Sequence, residues 1–133
     1  YALRAVVCMA RTPDRALTAR ELAAEGELPP DYASKVLKEL VRAGLAVGRR
    51  GLGGGYRLAR SAEEMVLLEV ISAVDPIRRI RTCPLGRVDH VNLCPLHRRL
   101  DAVAAEAEAA FGSTTVAALL DEDGRGGLCA EPD

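Results

Sequence analysis

"LPPDYASKVLKELVRAGLAVGRRGLGGGYRLAR", residues Leu28 to Arg60, decides how this chain folds. Pro30 suits the first turn of a helix, where a missing N–H costs nothing, and Gly44 suits its end. Between them Ala33, Val36, Leu37, Leu40 and Val41 repeat at helical spacing and predict a buried stripe. Asp31, Ser34, Lys35, Lys38 and Arg42 fall off that stripe, which leaves a short polar and basic face exposed. Leu45-Ala46-Val47 and Tyr56-Arg57-Leu58 then predict two short strands around a loop, a β-hairpin. The twelve residues from Arg49 to Arg60 hold four arginines, four glycines and no acid. Glycines at 51, 53, 54 and 55 let such a hairpin turn sharply and lie close to another backbone. A phosphate-cradling P-loop would need Gly-Lys-Ser/Thr opening a helix, whereas this loop leads into Tyr56 and a strand.

On the amino-terminal side, Tyr1 to Ala10 predicts a first helix broken at Thr12-Pro13-Asp14. Thr18-Ala19-Arg20-Glu21 is a capping box opening a short second helix, with Leu22 and Ala23 inward and a stop near Gly26. On the carboxyl side, Ser61-Ala62-Glu63-Glu64 reads as a second capping box. It predicts a helix with Val66, Leu67, Val70, Ile71 and Val74 facing in, ended by Asp75-Pro76. Leu96 to Phe111 predicts a long helix with Leu100, Val103, Ala107 and Ala110 along one face. That face suits either a partner helix or packing within the chain. Ser113-Thr114-Thr115 is expected to cap a last short helix to Leu120. The fold class is therefore mainly α with a small β-hairpin wing: a winged helix-turn-helix plus a long helix. The expected division is a winged helix-turn-helix domain over 1–75, a cysteine/histidine loop over 76–95, the long and C-terminal helices over 96–121, and a flexible tail over 122–133.

The 133 residues fit one domain, 49% hydrophobic but only 3% aromatic, so Ala, Leu and Val must supply the core. No apolar run approaches a membrane span and nothing at the amino end reads as a signal peptide, so a cytoplasmic protein with no membrane partner is expected. The net charge of −1 is unevenly placed. Residues 35–60 carry seven cations against Glu39, while 101–133 carry eight acids against Arg125. A local excess of that kind on a helix and hairpin is the footprint of a polyanion-binding surface.

From Ile77 to Pro95 the helical pattern gives way to arginines, cysteines and histidines. Cys83, His90, Cys94 and His97 form C-x6-H-x3-C-x2-H, and thiolate and imidazole are the ligands of iron–sulfur clusters and zinc. A thiol switch between Cys83 and Cys94, or ordinary cysteines beside solvated histidines, are the other readings. Cys8, among Val6, Val7 and Met9, is expected in the core, and Cys129 as a free thiol without a role. No set of acid, base and oxyanion donors points to an enzyme.

Leu28–Arg60, with Tyr1-Ala2-Leu3-Arg4 and "EVISAVDP" (Glu69 to Pro76), closely resembles the Rrf-type transcription regulators, which include IscR, NsrR and CymR. The resemblance covers nearly the whole chain. It implies a homodimer on a palindromic operator in double-stranded DNA, with 1–75 as the DNA-binding domain, 76–95 as the sensor loop and the long helix of 96–121 as the dimerisation helix. Each subunit would place its third helix in a major groove and its wing in the neighbouring minor groove. Ser34 and Lys35 match the family's base-reading positions, with Asp31 beside them, while Lys38 and Arg42 are expected at phosphates. Arg49 and Arg50, with Gly53, Gly54 and Tyr56, form the expected minor-groove wing. For Tyr32 and Tyr56, core packing is expected over a phosphate contact. Members that hold a cluster usually offer three cysteines in the sensor loop. Here Cys83, Cys94 and His97 match the outer part of that pattern, and His90 or Asp89 stands near the missing middle cysteine. The implied function is a redox, iron–sulfur or nitric-oxide responsive repressor, with a 2Fe–2S cluster as the implied cofactor and zinc or none as alternatives. A cluster-free regulator acting by thiol switch or protein contact is the rival.

Overall fold

The computed structural model describes residues 1–86 and 92–120. Asp89, His90, Cys129 and the tail over 122–133 lie outside the described residues. The elements are α1 (Ala2–Arg11), α2 (Ala19–Glu25), α3 (Pro30–Arg42), β1 (Ala46–Arg49), β2 (Gly55–Leu58), α4 (Leu67–Val74) and α5 (Pro95–Ser113), then a single 3-10 turn at Ala117–Leu119. The expected fold class is the observed one. Among the described residues, no helix is long and apolar enough to cross a membrane.

Local chemistry fixes the helix-turn-helix. The Thr18 N–H donates to Glu21 Oε2 at 2.7 Å and the Glu21 N–H donates back to Thr18 Oγ1 at 3.2 Å, so both halves of the capping box form. These bonds, with Arg15 beside them, hold the Glu21 carboxyl down at about 2. Gly26 ends α2, Glu27 adopts φ +50°, and buried Leu28 donates its N–H to Ala23 O at 2.8 Å. That anchor sets the angle at which α3 leaves, and Pro30 takes its first turn. Ala33, Val36, Leu37 and Leu40 are buried in one core with Met9, Leu17, Leu22 and Met65. Each fully buried leucine contributes about 1.5–3 kcal/mol. Val41, expected in that stripe, is 40% exposed. It sits a further ~100° around the helix from Leu40, on the side that looks toward the edge of the wing.

The wing pairs in register Ala46↔Leu58, Val47↔Arg57, Gly48↔Tyr56 and Arg49↔Gly55. It is tied to the head through Leu17, whose N–H and C=O bond Tyr56 O and N at 2.9 and 2.7 Å. Gly55, at φ +139°, lies so close that a Cβ would fall 2.5 Å from Leu17 O. Only glycine fits there.

The Ser61 capping box does not form, and the helix begins only at Leu67. Residues 65–67 are instead held extended against the returning chain: Leu67 N–H bonds Thr114 O at 2.9 Å and Val116 N–H bonds Met65 O at 2.8 Å. A strand-like bridge to residues nearly fifty positions away overrides the local signal. Glu69 caps α4, accepting the Val66 N–H at 3.1 Å and Arg60 Nη2 at 2.6 Å. The expected C-terminal helix is a single 3-10 turn, with Thr115 Oγ1 accepting from Ala118 N at 3.3 Å. Ser113 and Thr114 hydroxyls donate back to Ala110 O, closing α5.

Candidate nucleic-acid interface and sensor segment

α3 and the wing share one basic face. Asp31, Ser34, Lys35, Lys38 and Arg42 are all exposed on α3, as are Arg49, Arg50 and Gly53 on the wing, with Gly54 and Tyr56 partly buried. The structure brings Lys38, Arg42, Arg49, Arg50 and Tyr56 together between α3 and the wing, with α3 held by the Leu28 anchor and the wing by the Leu17–Tyr56 bridge, while Ser34 lines a separate cleft against α2. Between α3 and the wing lies an open cleft of about 440 Å³, walled by Val41 and Tyr56 and rimmed by Lys38, Arg42, Arg49 and Arg50. Among the described residues, no acid lines it. Two cations of the basic segment are otherwise engaged: Arg42 pairs with Glu39 at 3.1 Å, and Arg60 with Glu69 at 2.6 Å. The Arg60 hydrogen bond holds the Glu69 carboxyl below its ordinary range.

The tyrosines divide. Tyr56 packs partly buried against the core, as expected. Tyr32 is exposed instead, edge-on to Tyr1 at 5.3 Å, with Lys35 Nζ 5.6 Å from its ring centre. Its place on α3 faces away from the buried stripe, so it braces Lys35 by a cation–π contact instead of filling the core.

Cys8 is fully buried within α1. In the sensor segment, Cys94 is the N-cap of α5 and its Sγ lies 3.3 Å from His97 Nδ1, one turn on. Cys83 is half-buried in the approach to the segment. Among the described residues, no three or more of His, Cys, Asp and Glu come together as a metal-holding group. Cys94 and His97 thus offer two neighbouring donors, a thiol and an imidazole, against the four that a 2Fe–2S cluster or structural zinc takes.

What sequence reasoning missed is the anchor of this segment. Arg79 forks onto Asp101, with Nε and Nη2 at 2.7 and 2.8 Å, and reaches Glu108 through Nη1 at 3.1 Å. The Ile80 N–H donates to Asp101 as well, at 2.8 Å. Arg79 first, then the Ile80 amide, hold the Asp101 carboxyl down at about 2. One signal was available: Asp101 and Glu108, seven apart, lie on one face of a predicted helix.

A three-helix head with a hairpin wing, a basic recognition face and a long trailing helix defines a winged helix-turn-helix DNA-binding regulator. The family model for Rrf2, the iron-dependent transcriptional regulators, matches residues 1–122, and the chain belongs to that family. BadM of Rhodopseudomonas palustris, named as an HTH-type transcriptional regulator, is 31% identical over 118 residues, covering 89% of this chain and 75% of BadM. An HTH-type regulator of Aquifex aeolicus is 25% identical over 90% of this chain and 86% of its own length. Among solved structures, T. potens IscR superposes with a TM-score of 0.75 at 20% identity, covering 92% of this chain and 82% of that one. CymR of B. subtilis, the global cysteine regulator, superposes with 0.73 at 21% identity, covering 90% and 89%. Family and relatives are transcriptional regulators, not enzymes.

Proposed function

We propose that this chain is a cytoplasmic, homodimeric repressor whose operator affinity is set by a metal or redox site in the 83–97 segment. The DNA-binding role rests on the shared basic face of α3 and the wing. In this reading α3 enters a major groove, with Ser34 and Lys35 at base edges, Asp31 beside them, and Lys38 and Arg42 at phosphates. Arg49 and Arg50 enter the adjoining minor groove with Gly53, Gly54 and Tyr56. The strand that divides the two grooves then runs through the cation-rimmed cleft. Leu96, Leu100 and Val103 form an exposed seam on α5 at four- and three-residue steps, the spacing at which a second copy's helix would pack. Two heads related by that seam suit a palindromic operator.

The family's iron dependence supports a 2Fe–2S cluster or another metal held by Cys83, Cys94 and His97, with His90 as a further donor. Thiolate and imidazole suit iron and zinc alike. Such a group, when bound, supplies a site that oxidation or nitrosylation can alter. This chain's own residues would orient it: the Arg79–Asp101 fork ties the chain ahead of Cys83 to α5, whose N-cap is Cys94 and whose first turn carries His97. A second reading, a cluster-free thiol switch, is favoured by the 3.3 Å approach of the Cys94 sulfur to His97 at a helix N-terminus. The S. aureus CymR, solved also in an oxidised form, shares this fold.

Visible absorption with iron, zinc and sulfide assays on anaerobically purified protein tests the cofactor. Bound iron and sulfide, lost in Cys83→Ala and Cys94→Ala and weakened in His97→Ala, is the expected result. Metal-free wild type would leave the thiol switch, and full metal content in Cys83→Ala would overturn the ligand set.

A further inference from the structure

The wing ends in a leucine. Leu52 is more exposed than a leucine in an extended peptide, 108%, while Val47, the other exposed apolar side chain of the hairpin, is only 40% exposed. Its presentation is built in. Gly51 at φ +93° and Gly53 at φ +70° flank it, both in the left-handed region. Gly54 N–H closes the turn onto Gly51 O at 2.9 Å. A Cβ on Gly54 would fall 2.4 Å from Arg49 O, so the turn is as tight as a glycine allows. The tip is therefore a fixed apolar point, with Arg49 and Arg50 immediately behind it.

We infer that Leu52 is an apolar minor-groove contact, packing its side chain against the deoxyribose walls of the groove that Arg49 and Arg50 approach. This rests on the wing's entering DNA, and adds to it a contact that is not electrostatic. Charge selects the occupant. A tip framed by arginines, in a stretch from Arg49 to Arg60 without an acid, is repelled by the same tip of another copy and drawn to a polyanion. Within a minor groove the phosphates lie at the rims and the sugar faces line the walls, so arginine and leucine find different partners at different depths. Apolar side chains projecting into minor grooves are a recognised device of DNA-binding proteins. The wide, shallow minor groove of A-form RNA, lined with 2′-hydroxyls, offers no such walls.

The test is fluorescence anisotropy with a labelled mixed-sequence DNA duplex, and its RNA counterpart, across a salt series. Burying most of a leucine side chain corresponds to roughly a tenfold or greater gain in affinity. Leu52→Ala is expected to weaken DNA binding about tenfold with an unchanged slope of log affinity against log salt, because no phosphate contact is lost. Its preference for DNA over RNA should fall by a similar factor. Leu52→Met, apolar and of like volume, should bind as wild type does. Arg50→Ala separates the layers. If Arg50→Ala weakens binding while Leu52→Ala does not, the wing enters DNA but the leucine contact is wrong. If neither variant changes binding, the wing reading falls and the inference with it. A salt slope that changes in Leu52→Ala, with circular dichroism unaltered, would also overturn it.

Discussion

Gly55 and Arg50 sit five residues apart in one hairpin, yet they matter for different reasons. At Gly55 the backbone alone decides. Its φ of +139° and the 2.5 Å that a Cβ would leave to Leu17 O mean that Gly55→Ala must break the bridge joining wing to head. Destabilisation of about 1–3 kcal/mol is expected, read from chemical denaturation, together with weaker DNA binding. At Arg50 only the charge matters, since the side chain stands exposed. Arg50→Ala should leave stability unchanged and weaken operator binding by about 1–3 kcal/mol, with the salt slope falling by roughly one. A titration in which the slope stays fixed would remove Arg50 from the phosphate and groove contacts. The hairpin that carries both was legible in the sequence, because glycines supply its tight turn, but the approach of Gly55 to Leu17 was not, since that contact joins positions far apart in the chain. Tyr32 was misread although its place off the Ala33, Val36, Leu37 and Leu40 stripe already turned it outward, where its ring meets Tyr1 and Lys35.

Among the elements, those built from local signals were foreseen. Thr18 and Glu21 start α2, Pro30 starts α3, and a period of 3.6 runs through both. α4 shows the limit. Ser61 and Glu64 carry the same signal as Thr18 and Glu21, but Met65 and Leu67 bond Val116 and Thr114 instead, a pairing that no window around residue 61 contains. The candidate ligands named in the sensor segment, Cys83, His90, Cys94 and His97, meet a related limit. Only Cys94 and His97, one helical turn apart, have a geometry that spacing can supply. The Arg79–Asp101–Glu108 cluster is another long-range pairing, and it carries a pH dependence. The Asp101 carboxyl is depressed from 3.8 to about 2, so its contribution is complete above its unfolded value and is lost as pH falls through the folded one. Hydrogen exchange should show the Ile80 amide protected at neutral pH and released toward pH 2. In Asp101→Asn, which removes the charge, that protection should be lower throughout and no longer change over this acid range. Equal protection in the two proteins would mean that the fork does not hold the segment.

For the whole molecule, the charge map and α5 act together. The basic face sits on the head, while α5, from Pro95 to Ser113, has no buried residue in the single chain and leaves Val103 54% exposed. Placing a carboxylate at Val103 against a partner helix without a counter-ion is costly. Val103→Glu should therefore sediment as a folded monomer and bind operator more weakly. A variant that stays dimeric would move the interface off this seam. Val116 has a consequence of another kind. It is fully buried beside Met65 in the head's core, although it follows α5 in the chain. On the ribosome, the recognition helix and wing are made long before the residue that completes their packing. The head must wait for some fifty further residues, and for α5 to turn back, before its core closes. A nascent chain that stops short of residue 116 lacks one fully buried side chain of the head's core, so the face proposed to read DNA rests on packing that is complete only once α5 has been made.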